Sequence, residues 1–409
     1  MAPKRSVDRR VILHGGMPKT GSTSIQRALC SDRGRAILSA VQVQILTAPA
    51  PKPGGNYSRY FHSHRGAPRS LSPAVHAANV EAMTAEIRDT LANLPAGHSV
   101  LISAEAFGDI AIRDCEALKR IRDYLGEFFT DFTFQAYIRE PLSYACSRFQ
   151  QVVKTGHQGP NVLRSAIAAC DVATLIRNAN EVFGRANVSI RPFDPALMTS
   201  PDVVVDFATN VLGINHADAT ALADQQDQLN TGLPMEVLEI LLHFYQERGV
   251  TPENIRNGFA RAIVQLELAG TKFGPAFFAS KERSRLLDAT DKVRAEVGDL
   301  LGYDPFPSYR PFSGSSWDPG KVAPQVHARN SELLREAIAG RRRELARNSP
   351  DANRAIEDER RDGDRATRAS VLELLGELFD LYTASGGRDD TPRLPGRQLA
   401  RKTPGSPLS

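Results

Sequence analysis

The chain has 409 residues, enough for one large α/β domain with an extension, and its apolar and charged fractions of 41% and 24% are those of a globular protein. The formal net charge of +4 is small for this length and excludes a general nucleic-acid coat, while a local basic site for an anionic nucleotide stays compatible. Three apolar residues after a charged N-terminus are too few for a signal-peptide core and no run approaches a membrane span; with four scattered cysteines read as reduced thiols, a cytoplasmic location is expected.

Val11-Ile12-Leu13 predicts a short buried strand. A glycine-bearing turn follows, His14-Gly15-Gly16-Met17-Pro18-Lys19-Thr20-Gly21-Ser22-Thr23, and Ser24 to Leu29 carries apolar residues at helical spacing. Strand, glycine turn and helix N-terminus together make an anion cradle, because the first N–H groups of a helix lack internal partners and carry the positive end of its dipole. Gly16 and Gly21 keep the spacing of the ATP-binding Walker loop, but the lysine lies inside the turn and Ser22 stands where that loop has its lysine.

Ala36 to Leu46 fits a strand or a helix equally well. Pro49 to Pro73, rich in proline, glycine, tyrosine and histidine, predicts a long loop, read either as a lid over an acceptor or as solvated surface. A helix follows over Val75 to Leu94, with Val80, Met83, Ile87 and Leu91 on one face, then a second strand, Ser99 to Ser103, running into Ala104-Glu105-Ala106-Phe107. Ala117 to Phe129 reads as a helix and Phe132 to Ile138 as a third strand. Arg139 stands at the end of that strand, Pro141 opens a helix, and Ser147 follows eight residues after the arginine. An arginine fork with a hydroxyl suits a phosphate monoester; the alternative is a structural ion pair for Arg139 and a surface position for Ser147.

Val188 to Asp194 predicts a fourth strand, within which Arg191-Pro192-Phe193-Asp194 reads as structural. Helices follow over Val203 to Leu212, Pro234 to Arg248 and Glu282 to Leu301, the second with Val237, Leu238, Leu241, Leu242 and Tyr245 as its buried stripe. From Gly314 the chain turns charge-rich. Leu333 to Arg347 and Ala352 to Ala369 are dense in charge, Val371 to Tyr382 is a short amphipathic helix with Leu374, Leu378 and Leu381 aligned, and the last twenty-odd residues read as disordered. The expected division is 1–313, a nucleotide-binding catalytic domain, and 314–409, a solvated helical extension open to a protein or membrane-surface contact.

Alternating strands and helices predict the α/β class, a mainly parallel sheet covered on both faces. Ligands of such sheets sit at the carboxyl ends of the strands, where Lys19, Glu105 and Arg139 all fall.

The run Pro18-Lys19-Thr20-Gly21-Ser22-Thr23 resembles the 5′-phosphosulfate loop of sulfotransferases that use 3′-phosphoadenosine 5′-phosphosulfate (PAPS), and Arg139 with Ser147 resembles their 3′-phosphate site. The two motifs belong to a region from about residue 10 to about residue 310. The resemblance implies a P-loop-like three-layer α/β/α sandwich, transfer of a sulfuryl group from PAPS to a hydroxyl or amine, release of 3′,5′-bisphosphoadenosine (PAP), and no metal. It implies that Pro18, Lys19, Thr20, Gly21, Ser22, Thr23, Arg139 and Ser147 bind the nucleotide, with Lys19 beside the phosphate oxygen that leaves. The family places a His or Glu base near a strand end, and Glu105 resembles that base, its apolar neighbours raising its pKa. His14, His62, His64 and His157 are rival bases, and a capping or ion-pairing role is the other reading of Glu105.

Ser24 stands where cytosolic small-molecule members carry an aromatic residue, and the late glycine-rich basic loop is represented only by Lys281 to Arg285. Both departures point to a bacterial carbohydrate- or lipid-type enzyme, with a small-molecule, glycan or lipid acceptor and no nucleic-acid partner. The alternatives are a P-loop phosphotransferase using ATP and Mg²⁺ and a non-catalytic PAP-binding protein.

Overall fold

The computed structural model describes residues 10–46, 73–95, 97–223, 232–252, 255, 257–266, 268–348 and 368–384. The expected loop from Pro49 to Pro73, with His62 and His64, and the expected disordered end lie outside these residues, Pro73 apart. Two compact units are present, the first made of 1–149, 160–230 and 274–317, the second of 150–159, 231–273 and 318–409. They do not follow the expected boundary at 313.

The first unit is built on a parallel sheet of β1 (Arg10–His14), β2 (Val43–Leu46), β3 (Ser99–Ser103), β4 (Asp131–Ile138) and β5 (Val188–Pro192), in the order β2-β3-β1-β4-β5. The central strand β1 is buried over Val11 to His14, the near-continuous apolar run that a strand covered on both faces requires. Its register sets Leu13 beside Ile102 of β3 and Phe134 of β4; β1 and β3 end together at His14 and Ser103, while β4 continues from Gln135 to Ile138.

Alternation along the strands sends side chains to two helical layers. On one face Ile12, Val43, Ile45, Leu101 and Tyr137 join a core with α1 (Ser22–Cys30), α2 (Asp32–Ala40), α9 (Val203–Asn210) and α10 (His216–Ala223). On the other, Phe134 stacks on Phe183 at 5.2 Å between ring centres. Phe183 ends α8 (Val172–Phe183), which packs with α4 (Ala106–Arg113) and α5 (Cys115–Leu125). The expected three-layer α/β class is observed, with helices also at α3 (Pro73–Asn93), α6 (Pro141–Lys154, to Phe149 in this unit), α7 (Pro160–Ala168) and α13 (Ser280–Leu301).

The undecided stretch 36–46 is helix, turn and strand in succession. Ser31 caps α2 by accepting from the Gly34 N–H at 3.0 Å. Gln42, at φ 58°, turns the chain into β2 while its carbonyl accepts from the Ser99 N–H.

Arg191 has the structural role expected of it. Asp206, fully buried on α9, accepts from Arg191 at 2.8 and 2.9 Å, from the Tyr137 hydroxyl at 2.5 Å and from the Thr199 N–H at 2.8 Å. Burial pushes the Asp206 pKa up, but these hydrogen bonds outweigh it and hold the carboxyl below its usual range. The cluster ties α9 to β4 and β5.

The second unit contains α11 (Met235–Arg248), α12 (Asn257–Gln265), α14 (Pro324–Asn348) and α15 (Arg368–Ala384), with α15 packed against the other three. Phe244, Phe259 and Phe379 form an aromatic cluster with ring centres 5.2–6.3 Å apart. The expected stripe of α11 is corrected at three positions: Ile240 and Phe244 join it and Leu242 is only half-buried. The helices expected to be solvated are also corrected: Leu334, Ile338, Val371, Leu375 and Leu378 are buried, and buried Asn330 bonds both the N–H and the carbonyl of Ala269. Among the described residues no helix is long and apolar enough to cross a membrane.

Removing one partner of a buried ion pair strands the other, so Asp206→Ala is expected to cost about 3–5 kcal/mol in urea unfolding. Arg10→Ala breaks a pair to Asp131 in which both side chains are more than half exposed, and is expected to cost less than about 1 kcal/mol.

Candidate functional site

The turn between β1 and α1 lies at the carboxyl end of the central strand, where the chain passes to β2 on one side and later to β4 on the other. That is the switch point at which open α/β sheets bind ligands. Its first half continues the sheet: the Gly15 and Met17 N–H groups donate to the carbonyls of Gln135 and Tyr137, at 2.8 and 3.2 Å. Its second half is self-bonded, with the Thr20 N–H and hydroxyl both donating to the Met17 carbonyl, at 3.3 and 2.7 Å. Both donors of Thr20 are therefore spent inside the turn. Lys19 at φ 68° and Gly21 at φ 81° are left-handed. Gly21 caps α1 with no side-chain bond to the helix, and Ser22 opens it.

Gly16 shows what the turn encloses. A Cβ built there would lie 2.6 Å from Ser22 Oγ, 2.9 Å from Thr20 Oγ1 and 3.5 Å from His14 Nε2. Ser22 Oγ and His14 Nε2 are buried and have no hydrogen-bond partner. Below them, His14 Nδ1 lies 2.8 Å from Ser103 Oγ, and the Gln26 amide nitrogen reaches Ser103 Oγ and the Ser103 carbonyl at 3.0 and 3.1 Å. Burial pulls the His14 pKa down to about 4.

Charge gathers on the rim. The Lys19 carbonyl accepts from Arg139 at 3.4 Å, and the Glu105 carboxylate and the Lys19 ammonium act on each other's charge. Among the described residues no group accepts from the Lys19 ammonium, whose pKa is lowered by burial and by Arg139 and Arg148 against the opposing pull of Glu105. Glu105 is half-buried at the start of α4; desolvation raises its pKa, with Lys19 and Arg148 opposing and Asp109 reinforcing. Glu140, beside Arg139, caps α6 by accepting from the N–H groups of Leu142 and Ser143 at 3.0 and 2.6 Å. Arg294 holds Glu140 at 3.2 Å and stacks 3.6 Å over the Tyr309 ring.

The structure thus brings Lys19, Glu105, Arg139, Gly21 and Ser22 to one place. Pro18 is half-buried in the same turn and Thr23 is exposed on the first turn of α1. Ser147 is the exception to the expected convergence: Arg139 Nε donates to Ser143 Oγ at 2.9 Å, four residues along, and Ser147 lies a further helical turn away. Arg148 was not among the expected residues. Its Nε is buried without a partner, and its charge acts on both Lys19 and Glu105. Of the rival bases, His14 is part of the floor, and His157 belongs to the second unit, beside Thr155.

No protein-family model matches the chain, and no curated protein matches it. Among solved structures it is similar to a sulfotransferase from Alicyclobacillus acidocaldarius, at 12% identity and a TM-score of 0.36, over 72% of this chain and 96% of that one. It is also similar to the sulfotransferase domain of the Synechococcus PCC 7002 olefin synthase, at 15% identity and a TM-score of 0.33, over 74% of this chain and 98% of that one. Likenesses at these scores carry no argument about activity, which has to come from the residues themselves.

One consequence of the floor is measurable without a ligand. Unfolded His14 protonates as the pH falls through its usual 6.5, whereas folded His14 stays neutral down to about 4. Its contribution is therefore complete above pH 6.5 and is lost progressively toward pH 4, by roughly 3 kcal/mol at most. Denaturation curves across that window are expected to show a shallower acid limb for His14→Gln than for the wild type; parallel limbs would contradict this.

Proposed function

We propose that this protein is a PAPS-dependent sulfotransferase that moves the sulfuryl group to a hydroxyl or amine of a carbohydrate or lipid-linked acceptor and releases PAP. The observation that carries the reading is Lys19, a lysine inside the turn whose carbonyl is bonded by Arg139 and whose ammonium has no acceptor among the described residues. Sulfuryl transfer builds negative charge on the phosphate oxygen that leaves, and a fixed cation with the amides of a helix start is what stabilises it.

The residues present fit the 5′-phosphate of such a donor. Ser22 Oγ is a buried hydroxyl with no partner, and Gly16 leaves a space that a single Cβ would fill. In this reading Lys19, Gly21, Ser22 and Thr23 hold the 5′-phosphate, with Pro18 and Thr20 shaping the turn. Arg139 holds the 3′-phosphate together with a hydroxyl of α6, Ser143 or Ser147. Arg148 adds a second guanidinium to the same rim. Glu105 takes the acceptor proton, its raised pKa matching it to that task. No metal is assigned a part.

Two measurements test this. PAP is expected to raise the melting temperature, by mass action worth about 2.7 kcal/mol at a hundred times its dissociation constant. ATP with Mg²⁺ is expected to raise it far less, and an equal rise that a chelator cancels would favour a phosphotransferase. Arg139→Ala is expected to cost PAP roughly 1.5–3 kcal/mol of binding while sparing an analogue without the 3′-phosphate; equal losses would make Arg139 structural.

Glu105→Gln separates the two roles open to Glu105, because the amide keeps the size and polarity of the carboxyl but no longer takes a proton. Turnover is expected to fall by about 10²–10⁴ with PAP affinity retained. Turnover within about tenfold of wild type would leave Glu105 with a structural role.

A further inference from the structure

We propose that His14 is a positioning residue of the anion loop: a hydrogen-bond chain from Gln26 through Ser103 fixes it as the Nε2–H tautomer, and its Nε2–H turns the Ser22 hydroxyl toward a bound oxyanion. This rests on the reading that the turn holds a phosphate.

The chain of donors can be followed atom by atom. A carbonyl oxygen only accepts, so the Gln26 side chain must present its NH₂ group, not its oxygen, to the Ser103 carbonyl 3.1 Å away. The same nitrogen lies 3.0 Å from Ser103 Oγ, which therefore accepts there. The Ser103 hydroxyl hydrogen remains to be placed, and His14 Nδ1 at 2.8 Å is its partner. A proton on Nδ1 instead would leave that buried hydroxyl hydrogen with no acceptor. Nδ1 thus accepts, and the imidazole proton sits on Nε2.

His14 is 1% exposed and Ser22 6% exposed, and neither Nε2 nor Oγ has a partner. Both flank the space above Gly16, where a Cβ would lie 3.5 Å from one and 2.6 Å from the other. The third group there, Thr20 Oγ1, has already given its hydrogen to the Met17 carbonyl. Ser22 carries the hydroxyl hydrogen still available for an anion. The two atoms are not bonded to each other in this structure; a bond from His14 Nε2–H to Ser22 Oγ, formed as an anion draws the hydroxyl round, leaves that hydrogen as the outward donor, so one side-chain bond and one ligand oxygen satisfy both buried atoms. Each bond in such a chain strengthens the next.

The test uses the full chain with nitrogen-15-labelled histidine, the His14 ring signals being those that vanish in His14→Gln. The free protein at neutral pH is expected to show His14 as a neutral Nε2–H ring, and the Nδ1–H form would overturn the inference outright. On titration with inorganic pyrophosphate the His14 Nε2 signal is expected to shift, and Ser22→Ala to abolish the shift; a shift that persists in Ser22→Ala would also overturn it. Calorimetry adds a second measure. Ser22→Ala and His14→Leu are each expected to weaken pyrophosphate binding by about two- to tenfold, the double variant no further than either alone. His14→Gln, which keeps a donor nitrogen, is expected to bind like wild type, and additive losses would count against the coupling.

PAP separates this inference from the functional reading. If pyrophosphate moves the His14 signal but PAP does not bind, the sulfotransferase reading falls and the inference stands. If PAP binds without moving the His14 signal, the inference falls and the reading stands.

Discussion

Lys19 is a side-chain-bearing residue in left-handed backbone, set between two charged side chains. Arg139 donates to its carbonyl, and the Glu105 carboxylate faces its charge. The conformation costs a non-glycine residue on the order of 1–2 kcal/mol, and a hydrogen bond to a charged partner returns a comparable amount. Glu105 and Arg139 follow β3 and β4, the strands on either side of β1. Strand β1 ends level with β3, while β4 runs on from Gln135 to Ile138 beside the turn, so the parallel register is what the site depends on. A one-residue slip of β4 would withdraw Arg139 and leave the strain of Lys19 uncompensated.

That setting also decides what the charged groups are free to do. Burial pushes the Glu105 pKa up, while Lys19 and Arg148 pull it down. Its protonation therefore responds to any anion that neutralises those cations: binding one raises the pKa of Glu105 further and makes it the stronger base. Under the proposed function, donor binding and acceptor activation would be coupled through Lys19, Arg148 and Glu105. The floor below, His14, Ser103 and Gln26, is uncharged at neutral pH and serves as rigid support.

The sheet and the charged strand ends were legible because their signals are local. Val11 to Leu13, Ser99 to Ser103 and Phe132 to Ile138 are short apolar runs, each followed by a charged residue within a few positions. Other parts depend on partners far along the chain. In α8, Val172, Leu175, Ile176, Ala179 and Phe183 are buried at helical spacing, but that Phe183 meets Phe134 of β4 is set only by the fold. In α14 the buried Leu334 and Ile338 sit among Arg and Glu, whose presence read as solvent exposure. Arg148 escaped notice beside the expected Ser147 because its significance comes from residues 19 and 105, and Arg139 chose Ser143 because a side chain just before a helix reaches its first turn more readily than its second. The partnerless Ser22 hydroxyl and His14 nitrogen are visible only in three dimensions.

The most direct measurement is transfer of label. Incubated with PAPS labelled in its sulfuryl group and an extract of the host cells, the wild-type protein should move label to an acceptor and release PAP in equal amount, whereas Lys19→Ala should do neither. Label that stays on the donor while PAP binds normally, or label transferred from the terminal phosphate of ATP instead, would contradict the account.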